Sequence, residues 1–201
     1  MYYLENHRLG EIWDELYAHE CPDVSVQLMD SGKYVGPEHV RRVWYTMSGR
    51  VDEDGNPTGI KLRMPRRNCF LMITLTTPII VVDKDGQRAW GQWHLFGPHT
   101  NYVFDADKGD KKHEQFWIAG KYDNEFVKEH GVWKLKKVRP IAWIRAPYDK
   151  GWLREPDCRS TPDPYFPADE PGVVTSWKPD EQPKLDKWGP LPHEWIDYRE
   201  E

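Results

Sequence analysis

Apolar positions along the chain recur in two rhythms. Over the first twenty residues Leu4, Trp13, Leu16 and Tyr17 fall on one side of a helical turn, which predicts a helix ended by Cys21-Pro22. Residues 23–28 alternate as a strand does. Ser31-Gly32 marks a turn, and Tyr34-Val35-Gly36 reads as a short return. Pro37-Glu38 opens a second helix over 39–47, with Val40, Val43, Trp44 and Met47 on one side. After the polar loop 52–57 the period shortens to two. Strands are predicted over 68–83, 88–96, 113–128 and 132–145, with turns at Asp85-Gly86 and His130-Gly131 and a loop over 97–112. Two helices followed by four long antiparallel strands predict an α+β domain. Strands of this length must curl to bury one face, and a curled sheet closed by helices makes a cone with a pocket inside.

Beyond Tyr148 the pattern stops. Pro156, Pro162, Pro164, Pro167, Pro171, Pro179, Pro183, Pro190 and Pro192 break regular structure. Disordered tails are poor in aromatic residues, yet this segment carries Trp152, Tyr165, Phe166, Trp177, Trp188, Trp195 and Tyr198. The expectation is a cone domain over 1–152 and an extended arm over 153–201, held by aromatic side chains to its own subunit or a neighbour. A partly disordered tail is the other reading.

Composition narrows the function classes. With 201 residues and a net charge of -5, the chain has no concentrated basic face for nucleic acid; its one basic cluster, 61–67, is too short. Cys21, Cys69 and Cys158 have neither metal nor disulfide-framework spacing, which points to a reducing, cytoplasmic setting. No apolar run approaches a membrane span and no signal peptide opens the chain. The scattered histidines suggest no metal site, and no glycine-rich phosphate loop is present, so no cofactor is expected. Eleven tryptophans supply core and subunit contacts, and they also suit a pocket for flat apolar ligands.

The ordered series Asp23-Val-Ser-Val, Tyr34-Val-Gly36, Glu38-His-Val-Arg-Arg42, Thr77-Pro78-Ile79, Asp85-Gly86, Gly120-Lys-Tyr-Asp-Asn-Glu125, Gly131-Val-Trp-Lys-Leu135 and Pro147-Tyr-Asp-Lys-Gly-Trp152 resembles the SnoaL-like branch of the nuclear-transport-factor-two-like superfamily. The resemblance covers roughly 1–152. It implies a cone-shaped α+β barrel with one internal pocket, assembled as a homodimer or homotrimer in which the arm would add contacts. It also implies cofactor-independent chemistry on small molecules. Relatives include scytalone dehydratase, bile-acid dehydratase, polyketide cyclases, limonene epoxide hydrolase and a lyase that removes formaldehyde from lignin-derived diarylpropanes. Other relatives only bind ligands or proteins. The dehydratases pair an Asp with a His. By this resemblance the two positions fall near Asn6 and near Ala119, neither able to do acid–base work. A slip of one residue would bring Glu5 or His7 into the first position.

The candidate chemistry follows from these patterns. His94, on a predicted strand, is the first choice for a general base, unless Trp93 faces the pocket and His94 faces out. His99 is expected in a loop at the mouth. Lys121 shares strand parity with Trp117 and Ala119. Buried, it would hold a phenolate or oxyanion; exposed, it would be an ordinary strand lysine. Lys61 and Arg63 also share parity, as paired cations for such an anion or as solvent-facing charges. Tyr2, Tyr3, Tyr45 and Tyr102 are candidate acids or donors, and the resemblance places Tyr2 and Tyr3 where the family's active-site Tyr occurs. Asn6, Trp44, Trp93 and Trp117 complete the expected pocket wall. The resulting expectation is a lyase for an aromatic small molecule, with formaldehyde release from a diarylpropane as its most concrete form. A dehydratase, hydratase or cyclase and a non-catalytic binding module are the alternatives.

Overall fold

The computed structural model describes residues 2–5, 8–28, 32–48, 72–105, 110–154 and 168–171. The chain opens with short helices α1 (Tyr2–Glu5) and α2 (Leu9–Glu11) and a π-helical turn, Ile12–Leu16, instead of one continuous helix. Tyr17 then bridges to Leu135 of the sheet. Strands β1 (Ser25–Gln27) and β2 (Lys33–Val35) pair antiparallel, and α3 (Pro37–Ser48) follows with Pro37 in its first turn, where a missing N–H costs nothing. The rest is sheet: β3 (Thr74–Val82), β4 (Arg88–Asp105), β5 (Asp110–Glu129), β6 (Val132–Val138) and β7 (Pro140–Pro147). A short helix, α4 (Gly151–Arg154), closes this part.

The seven strands form one open, mixed sheet in the order β2-β1-β6-β5-β4-β3, with β7 also paired to β5. This is the expected α+β, cone-like architecture; among the described strands the one parallel pair is β1 with β6. Two boundaries differ from expectation. The loop expected over 97–112 is mostly strand, because β4 and β5 stay paired from Arg88↔Val127 to Asp105↔Asp110. The strand expected over 132–145 is two strands. At Arg139 the chain kinks, donating its N–H to the Asn124 side chain (3.1 Å) and accepting from the Asp123 N–H (3.0 Å). The β5–β6 turn matches expectation: His130 and Gly131 both have positive φ (51° and 80°), as a two-residue hairpin requires.

Register assigns every strand residue to one of two faces, since partners directly opposite share a side. Val26↔Tyr34, Val26↔Val138 and Phe126↔Leu135 lie on the face that receives the helices. There Leu9, Ile12, Trp13, Tyr17, Val40, Val43 and Trp44 bury against Val24, Val26 and Tyr34, with Leu135 and Val138 packed alongside. A second cluster, Ile73, Leu95 and Ile118 with Tyr122 and Ala142, occupies the same face farther along. Among the described residues no helix is long and apolar enough to cross a membrane.

The segment 168–171 lies on the β2 edge as a strap. Lys33 and Glu170 exchange both backbone hydrogen bonds (2.9 and 3.1 Å), and the Lys33 ammonium holds both Glu170 oxygens (2.9 and 3.0 Å). Asp169 accepts from the Val35 N–H and meets His39 Nδ1, both at 2.8 Å. The segment 168–171 of the expected arm is therefore held by backbone and charge; the arm's aromatic residues from Tyr165 to Tyr198 lie outside the described residues.

The β5–β7 ladder depends on Gly120. A Cβ there would lie 2.0 Å from the Ile141 carbonyl oxygen, where the register shifts between Ala119 and Gly120. Gly120→Ala should cost about 1–3 kcal/mol of stability in urea denaturation, because backbone rather than a pliable side chain must move.

Candidate functional site

On the helix-side face three polar atoms of the described residues are buried without a hydrogen-bond partner: Tyr17 Oη, Trp44 Nε1 and His99 Nδ1. Tyr17 leaves the π-helical turn in extended conformation, and its ring tilts against Trp13 (5.7 Å) and Trp44 (6.2 Å). The Trp44 indole N–H lies beside the Tyr17 oxygen and is the one neighbour that favours its ionisation; burial outweighs it and drives the hydroxyl far above the ordinary phenol range. Tyr122 comes from β5 on the same face, opposite Trp93, and burial raises its hydroxyl to about 12. Tyr17 and Tyr122 are close enough that the charge of one would oppose ionisation of the other. Both therefore stay protonated near neutral pH and act as hydrogen-bond donors. Trp93 meets Phe126 edge-on at 6.0 Å beside them.

His99 sits on β4 rather than in a loop, 6% exposed, with its ring stacked on Phe116 at 5.2 Å. Burial lowers its pKa to about 3, helped by the nearby Arg145 guanidinium. It is a neutral imidazole with an unpaired nitrogen, able to accept or donate one hydrogen bond.

The remaining candidates are dispersed. His94 and Lys121 are direct cross-strand partners, but both lie on the opposite, far face, with Trp93 on the helix side. His94 is exposed, pairs with Thr77 Oγ1 at 2.6 Å and meets Trp143 edge-on at 5.7 Å. Thr77 itself has φ 48° at the irregularity between Thr76 and Ile79, so His94 steadies a strained residue. Lys121 is buried on the face of Trp117 and Ala119, as the shared parity requires. Trp117 stacks on Phe96 at 5.4 Å. Tyr3 donates a hydrogen bond to Glu15, with Arg8 over its ring, and Tyr45 donates to Asp14 at 2.7 Å, so both hydroxyls are engaged on helix surfaces. Lys61, Arg63, Asn6 and the side chains of Tyr2 and Tyr102 lie outside the described residues.

Ala119 belongs to the far face and Gly120 to the helix side. Whichever one matches the dehydratase histidine, no imidazole is supplied there. Tyr17 and Tyr122 were absent from the sequence candidates. Tyr17 read as one more residue of an apolar helix side, and Tyr122 as part of a motif. The signal that could have found Tyr122 is its parity with Gly120.

An open, mixed sheet carrying helices on one face is the architecture of the nuclear-transport-factor-two-like fold. The chain belongs to the SnoaL-like domain family, whose profile matches residues 1–139. No functionally curated protein matches it. A crystal structure from Novosphingobium aromaticivorans DSM 12444, provisionally named a scytalone dehydratase, superposes with TM-score 0.52 at 14% identity, covering 80% of this chain and 83% of that one. A type 2 hexachlorocyclohexane dehydrochlorinase, LinA, gives 0.47 at 15% identity over 72% and 78%. The type 3 enzyme from Novosphingobium barchaimii LL02 gives 0.47 at 13% over 72% and 80%. At these identities the likeness is one of fold.

The depressed His99 pKa has a signed consequence. Its folded value lies below its unfolded value near 6.5, so the unfolded chain takes up a proton first as pH falls. The stabilisation is complete above pH 6.5 and erodes towards pH 3. Between pH 7 and pH 4 the native protein should lose about 3 kcal/mol more than His99→Gln in chemical denaturation. Parallel losses in the two proteins would refute this.

Proposed function

We propose that the protein is a cofactor-independent enzyme that acts on a phenolic small molecule bound on the helix-side face. The observation that carries this reading is the placing of Tyr17, fully buried, and Tyr122, partly buried, on one face as two phenols held protonated beside an indole N–H, with Tyr17 Oη and Trp44 Nε1 completing no hydrogen bond. Buried donors left without acceptors are costly to a fold, typically about 1–3 kcal/mol each, unless a ligand oxygen completes them. The cofactor-independent chemistry that the SnoaL-like resemblance implies and the aromatic surroundings, Trp13, Trp93 and Phe126, point the same way.

In this reading Tyr17 and Tyr122 donate to a substrate phenolate oxygen and stabilise the negative charge that gathers there. The phenolate pushes electrons into the ring, the benzylic C–O bond breaks and a quinone methide forms; the departing hydroxide takes the proton of the terminal hydroxyl and leaves as water. The resulting alkoxide then breaks the adjacent carbon–carbon bond. Formaldehyde departs and its bonding pair returns through the new alkene to the ring, which regains its phenolate. The specific substrate, a lignin-type diarylpropane diol, rests on the family resemblance. A neutral His99 is suited to holding a substrate hydroxyl and is too weak a base to drive the second step. His94 and Lys121 face away and take no part here. Simple dehydration is the same scheme stopped at its first step.

Incubation with a phenolic diarylpropane diol should release formaldehyde and an alkene, and Tyr122→Phe should slow release by about 100-fold. Water loss without formaldehyde would identify a dehydratase. Unchanged diol after long incubation, with binding intact, would identify a ligand-binding module and refute catalysis.

A further inference from the structure

Three aromatic rings line up across the far face of the sheet. Phe96 of β4 is paired with Ala119, and Trp117 shares the side of Ala119, so both rings stand on this face. They stack at 5.4 Å with an interplanar angle of 14°. Tyr148 follows β7, donates its backbone N–H to the Gln115 carbonyl and continues the row at 6.4 Å from Trp117. The row is open to solvent: Phe96 is 52% exposed and Tyr148 63%. Met72, also exposed, sits at the same end with its N–H on the Pro98 carbonyl. Exposed apolar side chains that adjoin in this way mark an interaction surface, whereas scattered ones need no explanation. A row of rings suits one kind of occupant, a proline-rich segment, which is pre-extended by its fixed φ and docks on aromatic-lined grooves.

The chain carries such a segment and starts it on this face. Glu170 and Pro171 of the strap border a far-face cleft of about 330 Å³, together with Trp90, Asp123 and Arg139. Residues 177–192 then supply Trp177, Pro179, Pro183, Trp188, Pro190 and Pro192. Asp123 at the cleft and Trp117 in the row share a strand and a face, about 20 Å apart at the rise of a strand. Extended chain covers that distance in about six residues, and Trp188 with its neighbouring prolines lies well beyond that number past Pro171. The paired backbone hydrogen bonds and the ion pair between Lys33 and Glu170 fix the point from which the segment starts. Tethering so close to the row gives it an effective concentration in the mM range, which a second molecule in dilute solution does not match.

We propose that the row Phe96, Trp117 and Tyr148 is the docking surface for residues 177–192 of the same chain, whose tryptophan and proline rings pack on it. The strap is then the anchor of a longer clamp across the far face. The inference is independent of the chemistry proposed for the phenols, which lie on the other side of the same strands.

Photo-cross-linking in the full chain tests the proposal. Unlabelled protein carrying p-benzoylphenylalanine in place of Phe96 is refolded with an equal amount of isotope-labelled wild type and irradiated, and the joined peptides are read by mass spectrometry. Peptides from 177–192 should predominate, with unlabelled ones at least about tenfold in excess of labelled ones. The same probe in place of Tyr148 gives a second position should the first variant fail to fold, with the same expectation. Trp188→Ser in the probe-bearing chain should lower the yield of that cross-link by about threefold or more. Equal labelled and unlabelled peptides from 177–192 would assign the segment to another copy and overturn the proposal. It is overturned too by cross-links chiefly to a labelled sheet, which would make the row an interface between copies, or by no capture of 177–192 from either position.

Discussion

The two-residue alternation along the β4–β5 ladder is the constraint on which the rest of the structure depends. Eighteen consecutive residue pairs join these strands without a register shift. Because side-chain direction alternates strictly, this one register decides that Trp93, Leu95, His99, Ile118 and Tyr122 turn towards the helices and that Gln92, His94, Lys121 and Asp123 turn away. A slip by one residue would place Lys121 and Asp123 in the apolar cluster and move Ile118 to the far face. The penalty for burying such charges without partners fixes the pairing as firmly as the apolar burial does.

Much of the fold was legible because its signals are local. Pro37 at a helix start, Asp85-Gly86 and His130-Gly131 at turns, and alternating strands each reflect backbone geometry that a few residues determine. Misplaced boundaries came from residues read as breakers. Gly97 and Pro98 suggested a loop, yet β4 runs through both. Gly97 leaves room for the Met72 carbonyl, which a Cβ would meet at 1.8 Å, and the Pro98 carbonyl accepts from the Met72 N–H at 3.1 Å. Conversely, Arg139-Pro140 was read through as continuous strand, although the chain kinks there and resumes against a different stretch of β5.

The candidate site was less legible, because parity groups residues without saying which group faces in. Lys121, Trp117 and Ala119 do share a face, but only the helix packing decides that it is the outer one. Phenols such as Tyr17 resemble core residues in any apolar pattern. What distinguishes Tyr17 is a tertiary fact, an oxygen enclosed by Trp13 and Trp44 without an acceptor, and no spacing encodes that. The result is a sheet with two chemically different sides, aromatic hydroxyls under the helices and a cleft lined by three cations and three carboxylates opposite.

The strap has a consequence beyond that cleft. Among the described residues β2 ends the sheet order, and an uncapped end strand is a template on which another chain's backbone can add. Residues 168–171 occupy hydrogen-bonding positions of that strand through the Lys33–Glu170 pair. Gly32 gives them space: a Cβ there would lie 2.1 Å from the Ala168 side chain. The protein thereby terminates its own sheet with a piece of its own sequence, trading an adhesive border for a closed one.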